Sequence, residues 1–259
     1  MSNEPIFAEE RQNKIISLLK TKNKLLVNEL CDTFSVSPAT IRNDLNSLEK
    51  RGLLKRTHGG AISGGKAGFE PTSVQKAEKN RSQKEIIAKA AAALVENGDT
   101  IALDSGTTAM RLAEQLSGKQ GITIITTDIR IAKLLEDFSG VSVILAGGTL
   151  RKGFSCTTGS ITNSVLKSLN VDKAFIAANA VNPRGQLCTP DIEQAEIKKN
   201  LIAMAAQTIL ICDSSKFGAY SFAKFGNLSD IDTVITDSEI DESVLKNLKN
   251  LNPNIEVAE

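Results

Sequence analysis

Histidine is nearly absent from this chain: His58 is the single copy among 259 residues. A histidine-dependent hydrolase triad or a multi-histidine metal site therefore has no material in the C-terminal three quarters. The four cysteines, Cys31, Cys156, Cys188 and Cys212, are widely spaced and form no CxxC pair, so a reducing, cytoplasmic setting is expected. No apolar run approaches the ~20 residues of a membrane helix. The richest stretch, residues 86–95, is short and carries Lys89, which excludes a membrane span there. The start, MSNEPIFAEERQNK, has no charged region followed by an apolar core, so no secretory leader is expected. Net charge is missing too: 31 Lys and Arg against 30 Asp and Glu leave +1, and with 41% apolar and 24% charged residues the profile is that of a soluble globular protein.

What charge there is lies unevenly. Residues 11–62 hold ten basic and four acidic side chains, a local excess of +6. Beyond His58 the glycine-rich text GGAISGGKAGFEPT marks a turn-rich connection between two units. The expected division is 1–62 for a basic N-terminal domain, 63–80 for a linker and 81–259 for a second domain.

In the first unit, Ile15, Leu18 and Leu19 suggest one helix, and Val27, Leu30, Cys31 and Phe34 a second. After the break Ser35-Val36-Ser37, an N-capping Ser37 followed by Pro38 starts a third helix, which Gly52 is positioned to end. Ile41, Leu45 and Leu48 form its apolar stripe; Ala39, Asn43, Asn46 and Lys50 point away from it, flanked by Thr40 and Arg42. Cationic, amide and small groups suit a major groove: Arg pairs with guanine, Asn with adenine, and Thr or Ala meets the thymine methyl. Residues 53–62 then read as a strand, a glycine turn and another strand, with Lys55, Arg56 and His58 placed to meet the DNA backbone. The predicted DNA contacts are Ser37, Thr40, Arg42, Asn43, Lys55, Arg56 and His58. A generic basic helical bundle shares the charge, but the capped third helix and the short turn favour DNA binding.

The run VSPATIRNDLNSLEKRGLLKRTHGGA resembles the DNA-binding head of the DeoR family of bacterial transcriptional regulators. The family usually carries a second Arg where this chain has Asn43, a departure on the proposed reading face that bears on the operator sequence.

Past Arg81, β-rich runs at 100–103, 122–126, 141–145, 174–177, 208–212 and 233–235 alternate with helical segments at 109–116, 129–138, 161–169 and 192–206. That alternation predicts an α/β domain with a mostly parallel sheet. The strand ends run into Asp104-Ser105-Gly106-Thr107-Thr108, Thr126-Thr127-Asp128, Ala146-Gly147-Gly148-Thr149 and Asp213-Ser214-Ser215-Lys216. Ligands of open α/β sheets bind outside the carboxyl ends of strands, and a Ser-Gly-Thr-Thr turn opening a helix offers free amides to a phosphate. Arg151 and Lys216 are the expected counter-cations. Singly, such turns are ordinary helix caps; four at successive strand ends point to an anion site.

The stretches LDSGTTAMRLAEQL, VILAGGTLRKGFSCTTG and ILICDSSKFG resemble the sensor half of the same family, which is similar to ribose-5-phosphate isomerase and related sugar-phosphate proteins. The resemblance implies a small all-α winged helix-turn-helix domain followed by an α/β domain similar to sugar-phosphate isomerases. It also implies a regulator, a repressor of a carbohydrate uptake or catabolism operon, modulated by a phosphorylated sugar. The expected partners are double-stranded operator DNA, that effector and further copies of the chain in a dimer or tetramer, with no membrane, cofactor or metal. Effector contacts are expected from Asp104, Ser105, Gly106, Thr107, Thr108, Thr126, Thr127, Asp128, Gly147, Gly148, Arg151 and Lys216. Where the family usually reads Thr-Asn-Ser, this chain has Thr126-Thr127-Asp128, so Asp128 is expected to accept from a sugar hydroxyl. The alternative is a sugar-phosphate isomerase with a basic head. That reaction needs a carboxylate base, and residues 177–182 offer amides and apolar groups instead.

Overall fold

The computed structural model describes residues 7–22, 24–50, 53–57, 59–63, 70–252 and 254–259, in two compact units, Met1–Pro71 and Thr72–Glu259. In the first, the elements are α1 (Ala8–Lys22), β1 (Lys24–Leu26), α2 (Val27–Phe34), α3 (Pro38–Lys50), β2 (Leu54–Thr57) and β3 (Gly60–Ser63). Ile15, Leu19, Leu30, Phe34, Ile41, Leu45 and Leu48, spaced for the inner faces of three helices, form its core. Within that core the Arg11 guanidinium meets the Asp44 carboxylate at 2.6 Å, which neutralises an acid on the otherwise apolar side of α3.

The helices are joined by a three-stranded antiparallel sheet in the order β1-β3-β2, of which β2 and β3 are the expected wing. Strand β1 is an addition, too short for any period to show. It explains Gly60: a Cβ there would lie within 2.9 Å of the Leu25 carbonyl carbon and Leu26 Cα. Leu26 ends β1 and its amide donates to the Glu29 carboxylate at 3.2 Å, so strand turns into α2 without a spacer. The turn before α3 needs Ser35 in a left-handed conformation (φ 53°). Ser37 Oγ then accepts the Thr40 amide at 3.2 Å, the N-cap expected at that serine.

The second unit opens with α4 (Ser73–Glu78), which lies inside the stretch 63–80 expected as a linker, and α5 (Arg81–Ala93). Then follow β4 (Thr100–Leu103), α6 (Thr107–Glu114), β5 (Ile122–Thr126), α7 (Ile129–Leu135), β6 (Val141–Leu145), β7 (Thr149–Arg151), β8 (Cys156–Thr158) and α8 (Ser160–Lys167). The chain continues through β9 (Val171–Ile176), β10 (Ala180–Val181), β11 (Gln186–Thr189), α9 (Ile192–Ala203), β12 (Ala205–Ile211), β13 (Ala223–Asn227), β14 (Thr233–Asp237), α10 (Glu242–Leu251) and β15 (Ile255–Ala258).

Seven strands make one parallel sheet in the order β15-β14-β12-β9-β4-β5-β6. Its strands are apolar on both faces, as a doubly covered parallel sheet requires. Ile101, Leu103, Phe175, Ile209 and Ile211 face α5, α6 and α7, whereas Ala102, Ala174, Ile176 and Leu210 face α8, α9 and the small sheet β10-β11-β13. The expected helix at 192–206 ends earlier, at Ala203, because Ala205 pairs with Val171 and opens β12. The short strands β7, β8, β10, β11, β13 and β15 carry no period long enough to read in sequence. Among the described residues, no helix is long and apolar enough to cross a membrane, and no group of three His, Cys, Asp or Glu could hold a metal ion.

Candidate functional site

On the first unit, α3 presents Arg42 and Asn43 to solvent beside Ala39, with Ser37 exposed and Thr40 partly so. Ser37 and Thr40 hydrogen-bond through their hydroxyls at 2.9 Å, so the two side chains sit together at the helix N-terminus. The side chain of Lys55, residues 51–52 and His58 lie outside the described residues. Arg56 and Asn46 are joined to each other. Arg56, read as a wing residue reaching outward, is half-buried and its Nη1 donates to Asn46 Oδ1, while its backbone amide donates to Glu49 at 2.8 Å. Asn46, sorted onto the reading face, is therefore turned to the wing.

On the second unit, the parallel sheet gathers the carboxyl ends of β4, β5, β9 and β12 on one side, and hydrogen bonds tie their loops together. Asp104, expected at a phosphate, is fully buried. Its carboxylate accepts from the Ala177 amide at 2.9 Å and the Ser105 amide at 2.8 Å, and pairs with Lys198. Lys198, 3% exposed, also donates to the Ala177 carbonyl at 2.8 Å. Asp104 therefore braces the β4 loop against the β9 loop and α9 from within.

Asp128 is likewise taken up. It caps α7 through the Arg130 amide at 2.9 Å, accepts the Gly106 amide at 3.2 Å and pairs with the Arg130 guanidinium at 2.7 Å. The expected sugar-hydroxyl acceptor is thus a carboxylate already held at the N-terminus of α6. Arg130, one-third exposed, stands beside it as a cation that sequence reading missed. Hydrogen bonding to Asp128 raises the Arg130 pKa further. The first intrahelical bond of α6 runs from Met110 to Gly106, so the Thr107 and Thr108 amides precede it. Ser105 Oγ donates to Gln194 at 3.3 Å, Thr126 Oγ1 accepts the Asp128 amide at 3.1 Å, and the buried Thr127 hydroxyl has no hydrogen-bond partner among the described residues.

Gly147 is open to solvent, whereas Gly148 (φ 156°) leaves no space: a Cβ would collide with the Thr162 hydroxyl and lie 2.7 Å from the Thr158 carbonyl oxygen. Arg151 stacks on the Phe154 ring at 3.9 Å and meets Asp191 at 3.3 Å.

A second cationic focus surrounds Asp213, at the carboxyl end of β12. Its carboxylate accepts from the Asn80 amide group at 2.7 Å and the Ser215 amide at 3.2 Å, with Lys216 at 3.6 Å. One carboxylate oxygen, Oδ2, is buried without a hydrogen bond among the described residues. These neighbours hold the Asp213 carboxyl below the ordinary range against the opposing effect of burial. Lys84 of α5, 4% exposed, donates to the carbonyls of Lys76 and Lys79 at the end of α4, and burial lowers its pKa to about 8. Lys76 in turn stands 5.5 Å from the Phe154 ring, and Ser73 donates to the Gly153 carbonyl at 3.2 Å. Of the expected residues, Lys216 joins this focus, and Arg151 connects with it through Phe154. Lys84, Asn80 and Lys198 were missed, although Lys84 sits four residues before Ala88 and seven before Ala91 on the buried face of α5.

In the stretch 177–182, Asn182 is buried and its side-chain Oδ1 accepts the amides of Arg184 at 3.0 Å and Gln186 at 3.1 Å, the work of a turn-forming residue. Asn179 accepts from Thr189 at 3.0 Å.

Comparison with known proteins agrees with this division. Residues 11–66 match the DeoR-like helix-turn-helix domain and residues 79–238 the DeoR C terminal sensor domain. The chain is 34% identical over 254 residues to the HTH-type transcriptional regulator GolR of Listeria innocua, covering 98% of this chain and 100% of that one. It is 36% identical over 235 residues to the lactose phosphotransferase system repressor of Lactococcus lactis, covering 90% and 92% respectively. Among solved structures, a D-ribose-5-phosphate isomerase aligns over 53% of this chain and 54% of its own, with 18% identity and a TM-score of 0.40.

Proposed function

Because the chain belongs to the DeoR family of DNA-binding transcriptional regulators, we propose that it is a repressor of carbohydrate uptake or catabolism genes whose hold on operator DNA changes when its sensor domain binds a phosphorylated sugar. The observation that supports the effector reading best is the pair of cationic foci at the carboxyl ends of the sheet, Arg130 beside the α6 N-terminus and Lys84 with Lys216 around Asp213. Amides of Thr107 and Thr108, the positive end of the α6 dipole and these cations form a phosphate-binding chemistry. Ser105, Thr126 and Thr127 supply hydroxyls, and Gly147, with nothing within 4 Å of its missing Cβ, lets backbone approach a ligand, while Gly148 fits the loop against Thr158 and Thr162. Asp104 and Asp128 hold the loops in place.

The same focus suggests how the ligand is felt. Asn80 bonds Asp213, and Lys84, four residues on, donates to the carbonyls of Lys76 and Lys79 at the end of α4, the first described element after the head in the chain. A ligand that draws Lys84 to itself loosens α4, and a differential of about 1–3 kcal/mol between the two states suffices for regulation. The heads act in pairs on half-sites spaced by whole helical turns, so the chain is a homo-oligomer. Cytoplasmic residence and the lack of enzymatic turnover follow from this role; Asn182 in a turn and the absence of a carboxylate base from residues 177–182 argue against isomerisation.

Replacing Thr107 by Glu tests the reading, because it places a carboxylate at the amides offered to phosphate. Full-length T107E should keep DNA affinity and ignore a panel of sugar phosphates that release the wild type. Release of the variant at wild-type concentrations removes that loop from the site. Incubation with pentose and hexose phosphates should show no interconversion.

A further inference from the structure

A cleft of about 260 Å³ opens on the DNA-binding unit between the start of α2, the recognition helix α3 and the wing, lined by Leu26, Asn28, Arg42, Arg56, Thr57 and Gly59 among others. Two guanidinium groups from different elements border it. Arg56 is held there from two directions: Asn46 accepts from its Nη1, and Glu49 fixes the backbone amide at 2.8 Å. Both partners project from α3, so the wing is indexed to the recognition helix through one side chain. The Arg56 Nε–H is buried and finds no acceptor among the described residues, an unmet donor on a cation whose other end is already anchored. The acids nearby do not answer it: Glu29 is turned to the Leu26 amide at 3.2 Å and Glu49 to the Arg56 backbone.

We infer that Arg56 takes a backbone phosphate of the duplex at this cleft together with Arg42, and that Asn46 and Glu49 are positioning residues that aim it. An Asn on the outer side of a recognition helix would ordinarily be read as an adenine contact. Here its carbonyl oxygen is committed to Arg56, so Asn46 sets where the wing sits on the DNA backbone and carries no sequence information. Arg56 becomes the joint that keeps α3 in the groove and the wing on the phosphates at a fixed spacing.

The test uses the full chain and a duplex that the wild type selects from a randomised pool, beside a scrambled duplex of equal length. Arg56→Met should flatten the slope of log affinity against log salt by about 0.9, the signature of one lost phosphate contact, and weaken both duplexes by a similar factor. Asn46→Ala should weaken both duplexes by similar factors, leave the selected sequence unchanged, and add nothing when combined with Arg56→Met. Glu49→Gln, which keeps an acceptor for the Arg56 amide, should bind close to wild type. An unchanged salt slope in Arg56→Met overturns the phosphate contact. An Asn46→Ala variant that binds like wild type, that alters preference at one base pair, or whose loss adds fully to that of Arg56→Met overturns the positioning role. Circular dichroism separates each of these results from misfolding.

Discussion

Lys198→Met probes the brace beneath the effector loops. The substitution leaves Asp104 fully buried with two amide donors, from Ala177 and Ser105, and no countercharge. It also strips the Ala177 carbonyl of its Lys198 donor. Removing one partner of a buried ion pair costs about 3–5 kcal/mol, because the remaining charge stays desolvated. At about 1.4 kcal/mol per tenfold, the ratio of folded to unfolded sensor falls at least a hundredfold, and a unit of this size should lose about 6–20 °C of melting temperature. Urea and thermal unfolding followed by circular dichroism measure both. The double variant Asp104→Asn with Lys198→Met, which removes the charge and keeps a carbonyl acceptor for one amide, should recover at least half of the loss. A single variant within about 1 kcal/mol of wild type, or a double variant less stable than the single, would refute the reasoning.

Other perturbations have equally definite outcomes. Gly148→Ala should lower the melting temperature, since its Cβ collides with Thr162, whereas Gly147→Ala, with nothing within 4 Å, should stay within about 0.5 kcal/mol of wild type on thermal unfolding. Equal effects at the two glycines would contradict the geometry. Lys84 titrates near pH 8 in the fold and near 10.4 when unfolded, so between these values the unfolded chain binds the extra proton and stability rises with pH. The stability of wild type relative to Lys84→Met should therefore increase from pH 8 to pH 10; a flat or falling difference in urea midpoints would show that Lys84 is not desolvated. Arg42→Ala should abolish retention of operator DNA in a gel shift while unfolding as wild type does, because the side chain is exposed. Full retention would remove Arg42 from the interface.

Much of the architecture is legible in residue order because its determinants are local. Ser37-Pro38 starts α3 where capping chemistry requires, and Ile101, Ala102 and Leu103 alternate between two buried faces within one short run. The three-residue β1 is invisible for the opposite reason: it is made by pairing with β3, thirty-odd residues away, and by the room Gly60 leaves. Ala205 and Ala206 read as helix because alanine favours one, but pairing with β9 overrides that preference.

At the sites, the strand-end loops are visible in residue order, but the partners of their charged groups are not. Asp104 and Asp128 find partners that no local pattern announces: Lys198 comes from ninety-four residues away, and the Gly106 amide from a neighbouring strand end. Asn46 falls on the outer face of α3 by angle alone, yet the wing folds back to claim it. Lys84 and Lys198 could have been found, since each interrupts an apolar helical stripe; a lysine there must be paired with buried acceptors or lose its charge.

In the proposed function, a phosphorylated sugar bound at the strand-end loops changes the grip on DNA. The most direct test titrates a labelled operator duplex with the full-length protein, with and without each member of a sugar-phosphate panel and the matching free sugars. One phosphorylated sugar should shift the dissociation constant by about 5–150-fold, with no shift from its unphosphorylated form. That shift should vanish in Thr107→Glu. Identical affinities across the whole panel, or an equal shift from the free sugar, would contradict the account.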